Sequence, residues 1–358
     1  MRNRSAETAD ARRYRNTRAA LRAGLAACAF FGVAVGHASA ADSGLTQNVT
    51  FTDYSPLSGS SELARRFFTP LSYQSIAKHF EGVGAQPVDL AQEKFVVYVP
   101  EGEPPRDGYG LLVFIPPWPQ AALPKGWSRA LDRHGLIFVS AANSGNEAST
   151  LDRRVPLALL AYENVRRSRK LDEKRVYVGG MSGGSRVALR VALAYPDVFR
   201  GALLNAGSNP IGEGAVMLPP ADLFRRFQES TRLVYFTGAR DEVNVSGDLK
   251  SMRSLRDWCV FDVHSETMAR RGHEIADVGG LERALDEIEK PAAIDAEKLA
   301  DCRLRIGREL ASKIAEAEAA LAHGDRDGAI EDMKVIDERF GGAAAAAIAG
   351  LQAKLGTP

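Results

Sequence analysis

The chain is organised around the stretch Arg175-Val-Tyr-Val-Gly-Gly-Met-Ser-Gly-Gly-Ser-Arg-Val-Ala-Leu-Arg-Val-Ala192. It opens with a β-branched and aromatic run, Val176-Tyr177-Val178, which is typical of a strand. It then passes through a glycine-rich turn centred on Ser182 and ends in apolar residues at helical spacing. A serine that projects from so tight a turn leaves no space for side chains two residues away, and Gly180 and Gly184 meet that requirement.

This strand–turn–helix pattern with a central serine is the nucleophile elbow of serine hydrolases. In such an elbow the first N–H groups of the helix point at the substrate oxygen. We therefore predict Ser182 as the nucleophile and the Gly183 N–H as one donor of the oxyanion hole. The alternative is a strand–helix turn without a catalytic role.

Length and charge limit what the rest of the chain can be. The 358 residues, 45% of them hydrophobic, suit one sizeable α/β domain with a small extra module. The net charge is +1, but seven arginines against Glu7 and Asp10 give residues 1–40 a charge of +5, which leaves −4 for the remainder. Because that remainder has no basic stripe, we predict no nucleic-acid binding.

Residues 1–40 have the pattern of a secretory signal peptide. Arginines precede an apolar stretch over residues 23–35, and Ala38-Ser39-Ala40 fits a signal-peptidase site. We expect the mature chain to begin near Ala41 in the periplasm or the medium. No other stretch reaches the roughly 18 apolar residues that a membrane helix needs.

Apolar runs alternate with helical patterns through the middle of the chain, which predicts a doubly wound, mostly parallel sheet. Strands are expected over residues 94–100, 109–115, 135–140, 176–178, 202–204, 232–238 and 260–264, and helices over 156–167 and 281–288. We assign residues 85–290 to this catalytic domain. Ligands of such sheets bind beyond the carboxyl ends of the strands, which is where Ser182 lies.

Two flanking segments have different patterns. Residues 41–84 form an N-terminal decoration, with a strand-like alternation over 49–52 and a helix that starts near Ser61 and ends before Pro70. After Pro291 the composition shifts to Ala, Glu and Arg, and apolar residues recur at helical spacing. Residues 291–358 are therefore predicted to be a helical hairpin module, and this tail would offer a surface to a protein partner.

A serine hydroxyl needs a base, which is usually a histidine oriented by a carboxylate. In the expected chain order of serine, acid and histidine, His273 follows the last predicted strand, in a loop that Gly272 allows to turn tightly. His264 continues the strand pattern and is the rival. For the acid, Asp241 follows the strand over 232–238, and Glu242 and Asp248 are its rivals. The alternative for Asp241 is that it pairs with Arg240 or caps a turn.

Three further features concern the pocket and the cysteines. A second oxyanion donor normally comes from the loop that follows residues 109–115, where Pro116 and Pro117 lack an N–H and Trp118 is the best donor. Residues 210–230 are predicted to cover the acyl pocket with apolar side chains, at Leu218, Leu223 and Phe224. After cleavage of the signal peptide only Cys259 and Cys302 remain, either as a disulfide or as two buried thiols.

The central stretch, together with Ala194-Tyr-Pro-Asp-Val-Phe199, resembles the secreted polyhydroxybutyrate-depolymerase and feruloyl-esterase-like branch of the α/β-hydrolases. Gly238-Ala-Arg-Asp241 and Gly272-His273-Glu274 look like the acid and histidine loops of that branch. The resemblance covers roughly residues 95–285 and implies ester hydrolysis outside the cytoplasm without a metal or cofactor. One departure is that Pro116-Pro117-Trp118 replaces the His-Gly-type oxyanion loop of many relatives.

The sequence therefore predicts an α/β-hydrolase that acts as an exported serine esterase on a small-molecule or polymeric ester. Its catalytic residues would be Ser182, Asp241 and His273, with Gly183 and Trp118 in the oxyanion hole. A serine peptidase of the same fold and a non-catalytic binding protein that uses the helical tail are the alternatives.

Overall fold

Eight strands form one sheet in the computed structural model, which describes residues 43–77, 85–212, 214, 216–292 and 294–356. The strands are β1 (Gly44–Val49), β2 (Phe95–Val99), β3 (Tyr109–Ile115), β4 (Leu136–Ala141), β5 (Leu171–Met181), β6 (Gly201–Asn205), β7 (Arg232–Gly238) and β8 (Val263–Met268). Their order is β1-β2-β4-β3-β5-β6-β7-β8, and only the pairings of β2 with β1 and β4 are antiparallel. This confirms the predicted mostly parallel α/β-hydrolase sheet. The predicted signal peptide lies outside the described residues.

Helices cover both faces of the sheet because the inner strands are apolar on both sides. The described helices are α1 (Ser60–Phe67), α2 (Pro70–Ala77), α3 (Trp127–His134), α4 (Val155–Ser168), α5 (Gly183–Ala194), α6 (Ala221–Ser230), α7 (Glu242–Asp257), α8 (Val278–Ile288), α9 (Ala296–Ala322), α10 (Arg326–Phe340) and α11 (Ala345–Leu355). Side chains alternate along β3: Leu112 packs with α3 and α8, whereas Val113 packs with α4 and α5. Within the described ranges, no helix has the length and hydropathy needed to cross a bilayer.

The first and last strands differ from their predicted bounds, whereas the first helix agrees with its prediction. The last strand is Val263–Met268 rather than residues 260–264, because the backbone at Cys259 has a φ of 64° and enters the sheet only later. The first strand, Gly44–Val49, ends at the residue where the alternation over residues 49–52 begins, and it pairs with β2. The helix predicted to start near Ser61 and end before Pro70 is confirmed as α1, and Pro70 then begins α2, since proline is tolerated at a first helical position.

The C-terminal helices pack onto the sheet domain through a shared apolar core. The Phe340 ring meets the Trp258 indole edge to face, with ring centroids 5.8 Å apart, and the Arg339 guanidinium lies 4.3 Å from the same indole centroid. The Leu71 N–H donates to Asp337 Oδ1 at 3.0 Å, which joins this segment to α2. The predicted helical tail is therefore held at both the N-terminal helices and the end of α7.

A disulfide adds a covalent link between the tail and the sheet domain. Of the two alternatives that the sequence leaves open, the structure has the bridge, with the Cα atoms of Cys259 and Cys302 5.7 Å apart. It spans 43 residues, and a loop of that length predicts about 4 kcal/mol of stabilisation through the unfolded chain.

Candidate active site

Ser182 occupies the turn between β5 and α5, at the carboxyl end of the sheet. Its φ of 54° and ψ of −119° are strained for a residue with a side chain, and its N–H donates to the Asn205 carbonyl at 2.8 Å. A Cβ on Gly180 would lie 2.4 Å from the Gly184 backbone, and one on Gly184 would lie 1.9 Å from the Ile115 oxygen. The close approach predicted for both glycines is confirmed.

The structure joins Ser182, His273 and Asp241 in one chain of hydrogen bonds. Ser182 Oγ lies 3.0 Å from His273 Nε2, and His273 Nδ1 lies 2.7 Å from Asp241 Oδ2. With the proton on Nδ1, the imidazole donates to the carboxylate and Nε2 accepts from the serine hydroxyl. The His273 side chain is 44% exposed and the Asp241 side chain 6% exposed, so a substrate can reach the imidazole while the carboxylate is shielded from water.

Buried Asn205, at the end of β6, supports both the elbow and the histidine loop (residues 269–277). Its carbonyl accepts from the Ser182 N–H at 2.8 Å. Its side chain accepts from the Ala276 N–H at 2.8 Å and donates to the Glu274 carbonyl at 3.4 Å. One side chain thereby fixes the histidine loop relative to the serine turn. No motif in the sequence identifies this residue, because its role depends on two segments that meet only in the fold.

Asp241 caps the start of α7, and Asn244 orients its carboxylate. Asn244 Nδ2 donates to both carboxylate oxygens, at 3.0 and 2.9 Å, and Asn244 Oδ1 accepts from Arg186 at 3.0 Å. A Cβ on Gly207 would lie 2.7 Å from Asn244 Oδ1, so the glycine makes room for this contact. Arg186 follows Ser182 by one helical turn, and the pair thus links the helices that carry the serine and the acid. The spacing of an N-cap aspartate and an asparagine three residues later was the available signal for Asn244.

The rival residues lie elsewhere. His264 is on β8, where its ring contacts Asp262 at 2.8 Å. Asp248 is buried and accepts a hydrogen bond from Thr237 Oγ1 at 2.6 Å, and burial raises the pKa of its carboxyl group. Glu242 is exposed on the first turn of α7. Within the described part of the chain, none of the rival carboxylates contacts His273.

The predicted oxyanion residues lie on two different elements. Gly183 is the first residue of α5, where backbone N–H groups have no partner within the helix. Trp118 is half-buried in the loop after β3, and its backbone packs on Gly145, where a Cβ would lie 2.7 Å from the Trp118 carbonyl carbon. In the described contacts, Trp118 makes no hydrogen bond to the serine, histidine or aspartate.

The three apolar residues that were predicted to cover the acyl pocket are buried in the core instead. Leu218, Leu223 and Phe224 are 1%, 6% and 6% exposed, and the Phe224 ring packs edge to face against Trp258. These side chains belong to the core beneath the C-terminal helices because residues 216–230 pack against that segment. They are therefore not available to line an open acyl pocket.

This arrangement can perform nucleophilic chemistry with protein groups alone. A hydroxyl faces an acceptor nitrogen, the opposite nitrogen faces an anchored carboxylate, and a helix N-terminus follows the serine. Such a set can deprotonate the hydroxyl and stabilise an oxyanion. No three His, Cys, Asp or Glu side chains converge as a metal site within the described residues.

The Esterase PHB depolymerase family matches residues 131–253, which include the elbow and the predicted acid. The resemblance inferred from the sequence is thereby confirmed, and the match supports a hydrolase of the esterase type. A comparison with curated proteins gives no match.

Solved structures of two esterases and of one aminopeptidase are similar to part of this chain. A thermostable esterase is 16% identical with a TM-score of 0.39, over 50% of this chain and 51% of its own. An esterase from Pyrobaculum calidifontis is 13% identical with a TM-score of 0.41, over 55% and 79%. A putative dipeptidyl aminopeptidase IV from Bacteroides ovatus is 16% identical with a TM-score of 0.40, over 54% and 32%. This chain therefore spans about half of the first of these proteins and a third of the last, and no substrate follows from them.

Proposed function

We propose that this protein is an exported serine hydrolase that cleaves carboxylic esters, with Ser182 as nucleophile, His273 as base and Asp241 as the acid. The observation that carries the proposal is the chain of hydrogen bonds at 3.0 and 2.7 Å, set on a strained elbow with a helix behind it. The esterase family match supports the reaction class. Export rests on the pattern of residues 1–40, and N-terminal sequencing of periplasmic protein should find a chain that starts near Ala41.

In the first step, His273 Nε2 takes the proton of the Ser182 hydroxyl while Oγ bonds to the ester carbonyl carbon. The carbonyl π electrons move onto oxygen, and the N–H groups of Gly183 and Trp118 stabilise that charge. When the tetrahedral centre collapses, the C–O bond to the alcohol breaks and the imidazolium gives its proton to the leaving oxygen. Water then attacks the acyl-enzyme by the same route and releases the acid and Ser182.

The substrate is proposed to be a small-molecule or polymeric ester. The exposed imidazole of His273 supports this, because the reacting groups lie at the surface, where a bulky or extended molecule can approach. The chemistry requires no cofactor, since protein groups supply the nucleophile, base and oxyanion donors.

The test is labelling with a fluorophosphonate, together with turnover of short acyl esters, hydroxycinnamoyl sugars, polyesters and peptides. Wild-type protein should be labelled and should hydrolyse at least one ester, and Ser182→Ala should do neither. Ser185→Ala is the matched control, because Ser185 lies in the same helix with its hydroxyl buried. Labelling that persists in Ser182→Ala would refute the nucleophile, and turnover of peptides alone would favour a peptidase.

A further inference from the structure

The loop after β4 brings a side-chain amide onto the residue that follows the serine. A Cβ built on Gly183 would lie 2.0 Å from Asn146 Oδ1, 2.8 Å from its Cγ and 3.3 Å from its Nδ2. No real Cβ makes contacts that short, so position 183 has no space for a side chain while Asn146 is in place. The amide of Asn146 therefore packs directly on Gly183.

Hydrogen bonds to a neighbouring loop hold Asn146 in this position. Its N–H donates to the Pro117 carbonyl at 3.0 Å. Buried Arg154 then ties the two loops together, because it donates to the Ser144 carbonyl and to the Pro116 carbonyl, each at 2.9 Å. The position of Asn146 therefore depends on the same loop that was expected to supply the second oxyanion donor.

The amide of Asn146 is free to act on a bound molecule. The residue is exposed, and within the described part of the chain its side chain has no hydrogen-bond partner. Oδ1 and Nδ2 can therefore exchange by rotation about the terminal torsion, which places an N–H donor against Gly183, the residue whose backbone N–H is the first predicted oxyanion donor. This donor matters because Pro116 and Pro117 contribute none.

We propose that Asn146 is a catalytic residue whose Nδ2–H donates to the ester oxyanion together with the Gly183 N–H. This rests on the proposed function, since the oxyanion exists only if Ser182 adds to a carbonyl. As the Ser182 Oγ–carbon bond forms, the carbonyl π electrons move onto oxygen and the Ser182 proton passes to His273 Nε2. The Asn146 amide transfers no proton and lowers the energy of the charged oxygen by donating a hydrogen bond to it.

The experiment measures hydrolysis of p-nitrophenyl acetate and inhibition by a trifluoromethyl ketone, which forms a tetrahedral adduct with a serine. We expect Asn146→Ala to lower kcat by about 10²–10³-fold, the range for loss of one oxyanion donor, with KM changed by less than about threefold. The Ki of the ketone should rise in proportion to the loss of kcat/KM. The neighbouring exposed Glu147 provides the matched control, and Glu147→Ala should keep the wild-type kcat.

A second variant tests the contact with Gly183 itself. Gly183→Ala retains the backbone N–H but pushes the Asn146 amide away, so it should also lower kcat, and it should add little further loss when combined with Asn146→Ala. If the wild type is active and Asn146→Ala keeps the wild-type kcat and ketone Ki, this inference alone is overturned, and the oxyanion donors are the N–H groups of Gly183 and Trp118 without Asn146. A wild type without ester turnover overturns the inference and the proposed function together.

Discussion

Two histidines of this protein have nearly the same aspartate contact and lie at opposite ends of the sheet. His273 Nδ1 lies 2.7 Å from Asp241, and His264 Nε2 lies 2.8 Å from Asp262. The exposed fractions of the two imidazoles are 44% and 39%, and those of the two carboxylates are both 6%. An aspartate–histidine contact with these properties therefore does not by itself identify a catalytic base.

The partner of the second ring nitrogen separates the two sites. His273 presents its other nitrogen to the Ser182 hydroxyl at 3.0 Å, beyond the carboxyl ends of the strands. His264 presents its other nitrogen to a second carboxylate, Glu287, also at 3.0 Å, near the start of β8. A hydroxyl can give up a proton to imidazole, whereas a second carboxylate only stabilises imidazolium. The first arrangement suits proton transfer, and the second suits an ion-pair network.

The largest expected effect is the loss of kcat when His273 is removed, compared with the small change in kcat when His264 is removed. We expect His273→Ala to lower kcat by about 10³-fold or more, because the serine loses its base and only the oxyanion hole and substrate binding remain. His264→Ala should keep kcat within about threefold and lower the melting temperature by a few degrees, as Asp262 retains Arg232 as its partner at 2.8 Å. Ester turnover and thermal melts of both variants measure this. Loss of turnover in His264→Ala with retention in His273→Ala would reverse the assignment.

A smaller effect is expected at Asn244, whose Nδ2 donates to both oxygens of Asp241 and lies 3.0 Å from His273 Nδ1. Asn244→Ala should lower kcat by about tenfold with little change in KM, since Asp241 loses the two hydrogen bonds from the Asn244 side chain and keeps the one with His273. Asn164→Ala is the control: Asn164 is similarly buried, and its amide holds the backbone of Thr52 and Asp53 instead. The control should lower the melting temperature and spare kcat. Equal loss of kcat in both variants would mean that Asn244 acts only through stability.

The parts of the site that depend on local spacing were accessible from the sequence. The elbow around Ser182 consists of consecutive residues, and the order of serine, acid and histidine limits the candidates for the other two roles. Order alone does not separate His273 from His264; the position of His273 in a loop after the last strand does. The strands that are apolar on both faces were recognisable for the same reason, because β3 is a continuous apolar run. The sequence therefore predicts the fold and proposes a triad that the structure holds within hydrogen-bond distance.

Residues whose roles arise from tertiary contact could not be predicted in this way. Asn205 and Asn146 each connect segments that are far apart in the chain, and neither lies in a recognisable motif. Leu218 and Phe224 are apolar, which fits a pocket wall and a core equally well, and the C-terminal helices decide in favour of the core. The start of β8 was misplaced because Val260-Phe261 has the composition of a strand, whereas the left-handed φ at Cys259 delays entry into the sheet.

The smallest expected effect is a change in stability at Glu287, the second carboxylate that contacts His264. A hydrogen bond from Lys290 and the charge of His264 lower the pKa of Glu287. A carboxylate with a lowered pKa stabilises the fold fully above its unfolded pKa of about 4.3, and this contribution is lost as the pH falls through the folded pKa. Glu287→Gln should therefore reduce the free energy of unfolding by about 1 kcal/mol near pH 7 and by progressively less toward pH 3.

Denaturant unfolding at pH 7, 5 and 3 measures this difference, with ester turnover recorded at pH 7. Glu282→Gln is the matched control on the same helix, because Glu282 meets Arg129 and Arg133 only at 3.8 and 3.9 Å and should change stability little at any pH. Turnover should stay near the wild-type value in both variants, since Glu287 lies at the end of the sheet away from Ser182. A stability loss that does not depend on pH would mean that Glu287 contributes through packing rather than charge. A tenfold fall in kcat would show that the two histidine sites are coupled through the sheet.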